Sequence, residues 1–193
     1  MPQPAKVLEP ADVRRLLKRI SLSRHPARDR VIILLSFKAG LRACEIAGLT
    51  WNMVLRANGR LDDQLSIARS IAKMGSARSV PMHPDLVIAL AALHAGQGTP
   101  RDGPIVRSER GSHMRAGSIV NWFARLYQEL ELDGCSSHSG RRTFITRAAR
   151  SLARTGNGSL RDIQELAGHR SLATTELYIQ GSRDAQRKLV RLI

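Results

Sequence analysis

Six residues whose side chains can do chemistry stand in four short segments bounded by glycine or turn residues. Arg42 lies in "GLRACEIAGLTW", Lys73 in "IAKMGSARSVPM", His138 and Arg141 in "HSGRRTF", and His169 and Tyr178 in "LAGHRSLATTELYI". Taken singly, each has an ordinary reading. Arg42 is then a surface arginine pairing with Glu45 three residues on, worth about a few tenths of a kcal/mol. His138 and Arg141 are an exposed pair on one helical face, and His169 caps a helix that stops at Gly168. Taken as a set, they meet the demands of a phosphodiester exchange without metal. A tyrosine oxygen can hold a phosphate covalently, provided a base or electropositive surroundings help it ionise. Arginine forks meet the charge that develops on the non-bridging oxygens. A lysine can return a proton to a leaving oxygen, which arginine does poorly.

The charge balance agrees. The chain has 193 residues with 31 Lys+Arg against 16 Asp+Glu, a formal net charge of +15. Nearly all of the excess is arginine, lysine standing only at positions 6, 18, 38, 73 and 188. Such an excess gathers anions, and a phosphate backbone is the commonest partner for it. A hydrophobic content of 42% is that of a globular chain able to bury a core. Cys44 and Cys135 make no disulfide framework, and no apolar run reaches membrane-spanning length. The expectation is a soluble cytoplasmic protein acting at the nucleoid, with no membrane partner.

The elements that must hold these residues are mostly helices. In "PADVRRLLKRI" the apolar positions Val13, Leu16, Leu17 and Ile20 share one face behind Pro10. "RDRVIILLSFKAG" is apolar on most faces and predicts a central buried helix stopped near Gly40. "RACEIAGLTW" opens another helix. "QLSIARSI" and "ARSVPM" alternate around "AKMGS", predicting a β-hairpin with Lys73 at its tip. Helices follow at "PDLVIALAALHAG", from Ser118 with Ile119, Trp122, Phe123, Leu126 and Leu130 on one face, and at "SSHSGRRTFITRAARSLA". "SLRDIQELAGH", "SLATTELYIQ" and "DAQRKLVRLI" complete the chain. Tyr127, beside Leu126 on an apolar face, reads as core. The fold class is mainly α with one small antiparallel β-hairpin.

The four segments, in this order, resemble the boxes of the tyrosine recombinase (phage integrase) family, and the likeness runs over nearly the whole chain. The resemblance implies the fold of that family's catalytic domain, with residues 1–193 as a single such domain. It implies site-specific cleavage and rejoining of DNA through a 3′-phosphotyrosyl intermediate, with no metal or nucleotide cofactor. Residue by residue, it implies Arg42 and Arg141 as catalytic arginines and Glu45 as the structural partner of the first. It further implies Lys73 as the hairpin lysine, His138 and His169 as the two histidines, and Tyr178 as nucleophile. Arg78 and Arg142 are taken as DNA contacts, Arg142 because Gly140–Arg141–Arg142 stands where many members have a leucine before one arginine.

Most members carry a further N-terminal helical domain that clamps the far side of the DNA, for which 193 residues leave no room. The expectation is a natural short form, similar in length to the fimbrial phase-variation invertases, or an excised catalytic domain. The partner expected is double-stranded DNA bearing a specific site. The apolar positions of "DAQRKLVRLI" fit either packing into a neighbouring subunit, giving a dimer or tetramer on DNA, or packing within the chain. Three other readings stay open: a type IB topoisomerase, a catalytically idle DNA-binding regulator of the same fold, and a metal site at Cys135, His138 and His169.

Overall fold

The computed structural model describes residues 4–72, 75–178 and 190. Helix α1 (Pro10–Ile20) begins with proline at its first turn, and the Asp12 carboxylate accepts the Glu9 backbone N–H at 3.2 Å. Its Val13, Leu16 and Ile20 are buried. Helix α2 (Pro26–Lys38) is the hub. Every residue from Val31 to Phe37 is buried, as its all-round apolar sequence requires. It stops at Gly40, whose φ of +66° lets the Leu41 N–H return to the Leu35 carbonyl at 3.0 Å. The Phe144 ring fills the space a Cβ at Gly40 would need.

Helix α3 (Ala43–Gly48) follows at once, and a 3-10 turn (Trp51–Met53) leads to the hairpin. Strands β1 (Gln64–Ile67) and β2 (Arg78–Pro81) pair antiparallel, Leu65 opposite Val80 and Ile67 opposite Arg78. They are shorter than the alternation predicts. After Ile67 the chain turns, with the Ile71 and Ala72 N–H groups donating to the Ala68 carbonyl. Lys73, expected at the tip, lies outside the described residues.

Helix α4 (Pro84–Gly96) lays Leu86, Ala89, Leu90 and Leu93 on the core beside α2. Helix α5 (Ala116–Glu129) buries Ile119, Phe123, Leu126 and Tyr127, as its periodicity predicts. Helix α6 (Ser139–Thr155) crosses close to α2, since a Cβ on Gly140 would collide with Ser36. Helix α7 (Leu160–Ala167) starts at the capping box of Ser159 and Asp162 and ends at Gly168, φ +62°. The short α8 (Leu172–Glu176) leads to Tyr178.

Two apolar clusters form among the described residues. The larger joins α1 to α5 with the hairpin, and the smaller joins Ile145 and Ala149 of α6 to Ile163 and Ala167 of α7. Tyr178 packs on the smaller one. Among the described residues, no helix is long and apolar enough to cross a membrane. The last helix read from sequence lies outside them, Val190 excepted.

Candidate active site

The site is assembled around one buried carboxylate. Glu45 sits at the third position of α3 and is 0% exposed. It accepts four hydrogen bonds, as many as a carboxylate readily takes. Oε2 accepts the Arg42 backbone N–H at 2.9 Å and Arg78 Nη2 at 2.9 Å, while Oε1 accepts Arg42 Nη1 at 3.1 Å and Arg78 Nη1 at 2.9 Å. Burial raises the Glu45 carboxyl, but Arg78 and then Arg42 outweigh it and hold the group below its ordinary value. The ordinary reading of Arg42 as half of a surface pair therefore fails, because its partner is shut away from water.

Arg78 corrects a second expectation. Taken as a DNA contact, it is instead 6% exposed at its side chain and forked onto Glu45, with Nε donating to the Leu166 carbonyl at 3.0 Å. The signal was in the strand period. On β2 the side chains of Arg78 and Val80 leave the same face, and Val80 is core. Arg78 thus ties α3 to the end of α7, just ahead of His169.

Arg141 is buried in α6 and reaches two carbonyls, Gly40 at 2.7 Å through Nη1 and Ala167 at 2.6 Å through Nη2. Burial, and next the positive charge of Arg42, push it down to about 10, so it stays protonated at neutral pH. Three guanidinium groups, on Arg42, Arg78 and Arg141, thus gather about one carboxylate. Among these four described groups the positive charges outnumber the negative by two, which favours an anion.

His169 follows Gly168 directly, its N–H donating to the Gln164 carbonyl at 3.1 Å and its Nδ1 3.0 Å from Thr175 Oγ1. Burial and the charges of Arg141, Arg42 and Arg78 push its ring down to about 4, so it is neutral at pH 7. The Tyr178 ring stacks on it, centroids 5.7 Å apart at 24°. Arg142, also expected to touch DNA, has its guanidinium carbon 5.8 Å from the centre of the Tyr178 ring. His138 is exposed at the N-cap of α6, one turn before Arg141. Arg42, Glu45, Arg141, His169 and Tyr178 are thus brought together, with Arg78, Arg142 and Thr175 among them. The metal reading finds no support in the arrangement, since among the described residues no three His, Cys, Asp or Glu side chains converge.

Residues 6–184 match the phage integrase family. The chain belongs to that family. Tyrosine recombinase XerC of Pelobacter propionicus is 31% identical over 159 residues, which cover 81% of this chain and 49% of that protein. XerC of Nitrobacter winogradskyi is 34% identical over 158 residues, 79% of this chain and 45% of the relative. The chain therefore spans about half the length of these relatives. Among solved structures, the XerH site-specific recombinase bound to difH in a pre-cleavage complex superposes with a TM-score of 0.73 at 18% identity, covering 97% of this chain and 53% of that one. The Tn1549 transposon integrase in complex with transposon right end DNA gives 0.73 at 20% identity, covering 99% and 67%. The fold is that of the tyrosine recombinase catalytic domain.

Proposed function

We propose that the chain carries the strand-transfer centre of a site-specific DNA recombinase, with Tyr178 as its nucleophile. The observation that carries the reading is Arg42 and Arg78 held on the Glu45 carboxylate with Arg141 anchored on the Gly40 and Ala167 carbonyls nearby, beside a tyrosine stacked on His169. Arg42 commits Nη1 to Glu45 and Arg141 is anchored to two carbonyls, so both forks are pre-set before any substrate arrives.

The reaction balances without redox chemistry. The Tyr178 oxygen attacks the phosphorus in line, forming a 3′-phosphotyrosyl bond as the bond to the 5′-oxygen breaks. Arg42, Arg141 and His169 meet the charge on the non-bridging oxygens. The tyrosine proton goes to a base, for which His138 is the candidate, and Lys73 supplies a proton to the departing 5′-oxygen. Attack by a 5′-hydroxyl from another strand reverses the step and restores the phosphodiester. The phosphate contacts of an arginine-rich surface supply most of the affinity for duplex DNA, which weakens as salt rises. Assembly as a dimer or tetramer through the last helix belongs to the same proposal.

The test is a covalent trap. Wild type and Tyr178→Phe are expressed in cells, denatured and recovered, and any attached DNA is sequenced. DNA on the wild type alone, ending at a recurrent motif, is the expected result. Both proteins coming down clean while binding DNA at low salt would leave a DNA-binding module without strand transfer.

A further inference from the structure

We infer that Thr175 is a positioning residue that sets the tautomer of His169, keeping Nδ1 bare and the ring proton on Nε2. Thr175 is the buried residue of α8, 0% exposed. Its Oγ1 lies 3.0 Å from His169 Nδ1, and among the described residues no other acceptor takes its hydroxyl proton. A hydroxyl shut away from water donates to whatever acceptor is in reach, because an unmade bond there is costly. An unprotonated Nδ1 is that acceptor. A protonated Nδ1 would turn Thr175 into the acceptor and strand the hydroxyl proton in the core.

Where the proton sits is a choice the fold has to make, because the ring holds only one. Burial and the arginine charges keep the imidazole neutral at physiological pH. The surrounding backbone fixes both partners. Gln164 accepts the His169 N–H with its carbonyl and donates its side-chain N–H to the His169 carbonyl at 3.0 Å. The Thr175 carbonyl accepts the Tyr178 N–H at 3.0 Å. Thr175 therefore joins the histidine by its side chain and the tyrosine by its backbone. This is the outer-shell arrangement that orients an imidazole through its far nitrogen.

The consequence for mechanism rests on the cleavage chemistry proposed above, although the tautomer itself does not. A neutral His169 with its proton on Nε2 can donate to a phosphate oxygen and cannot take the Tyr178 proton there. The phenol proton must leave by another acceptor.

The test reads the ring nitrogens of histidine-labelled full-length protein by heteronuclear NMR at neutral pH without DNA, His169 being assigned by its loss in His169→Asn. The expected result is a bare Nδ1 and a protonated Nε2 in the wild type and in Thr175→Ser. Thr175→Val, which keeps the shape and removes the donor, should show a mixture of tautomers. Formation of the covalent DNA adduct should then fall on the order of tenfold or more in Thr175→Val and be restored in Thr175→Ser, with DNA affinity unchanged. A protonated Nδ1 in the wild type, or an unaltered Nε2–H tautomer in a folded Thr175→Val, overturns the inference. Both readings need no cleavage, so a wild type that forms no adduct defeats the proposed function and leaves the tautomer assignment to be judged by itself.

Discussion

Glu45 and Arg78 meet fork to fork, through two hydrogen bonds of 2.9 Å each, at side chains 0% and 6% exposed. An ion pair in such a place is an expensive object to break. Removing one member leaves the other charged and buried, a loss of about 3–5 kcal/mol in well-documented cases. Arg78→Met and Glu45→Gln should therefore each lower stability by that order in urea unfolding. Arg78→Lys should rescue little, since a point charge cannot fork onto two oxygens. A phosphate-contacting arginine would behave otherwise. Its loss would leave stability nearly intact and reduce the salt dependence of DNA binding by about one phosphate contact.

His169 gives the fold a pH dependence whose sign follows from its neutral, half-buried ring. The ordinary imidazole value is 6.5 and the folded one about 4, so between these the unfolded chain binds more protons than the folded one. The stability His169 contributes is complete above 6.5 and is lost as pH falls towards 4. Chemical unfolding measured across that range should show stability declining with acid in the wild type. His169→Gln should flatten that part of the curve, and an equally steep decline in the variant would place the titration on other groups.

Much of this centre is legible in the sequence, and the reasons differ from residue to residue. Arg42, Arg141, His169 and Tyr178 are picked out because the four segments that hold them resemble, in order, the boxes of one family; composition alone does not single out two arginines in so arginine-rich a chain. Gly40 and Gly168 do end helices, and the carbonyls of Gly40 and of Ala167, beside Gly168, anchor Arg141. Arg78 is misread because charge argues for the surface, while the strand period places it inward with Val80. Thr175 leaves no mark at all. One polar residue in "SLATTE" looks like another until the turn after Gly168 brings His169 over it. Arg142 is visible as a second arginine, but only the fold shows it over the Tyr178 ring rather than beside Arg141.

That placement makes Arg142 a partner of the proposed nucleophile as well as a positive charge. A guanidinium within about 6 Å of an aromatic centre at a partly exposed site is worth about 0.5–1 kcal/mol. Only the part of that attraction that grows in the transition state changes the rate. Arg142→Gln should therefore slow covalent adduct formation at saturating DNA by at most about fivefold, the upper end of that energy expressed as a rate. Arg142→Lys should keep most of the rate, because a lysine ammonium can also lie over a ring. An adduct rate unchanged in Arg142→Gln, with a weakened salt dependence of binding, would return Arg142 to the role of a phosphate contact.

Gly40 offers the sharpest separation of fold from chemistry. Its φ of +66° is one that other residues adopt only with strain, and the Phe144 ring already occupies the direction its Cβ would take. Gly40→Ala should cost at least about 1 kcal/mol in thermal unfolding from the backbone alone. The same residue presents the carbonyl that anchors Arg141 Nη1 at 2.7 Å, so the strain falls where the fork is aimed. Loss of one preorganised donor typically slows chemistry by about 100- to 1,000-fold. Adduct formation in Gly40→Ala should accordingly fall far more than its stability loss explains, when both are measured at a temperature where the variant is fully folded. Arg141→Lys, which cannot bridge the Gly40 and Ala167 carbonyls, should reproduce the rate loss with the Gly40 backbone intact. A folded Gly40→Ala with wild-type adduct rates would mean that the Gly40 carbonyl only closes the helix and does not aim the arginine.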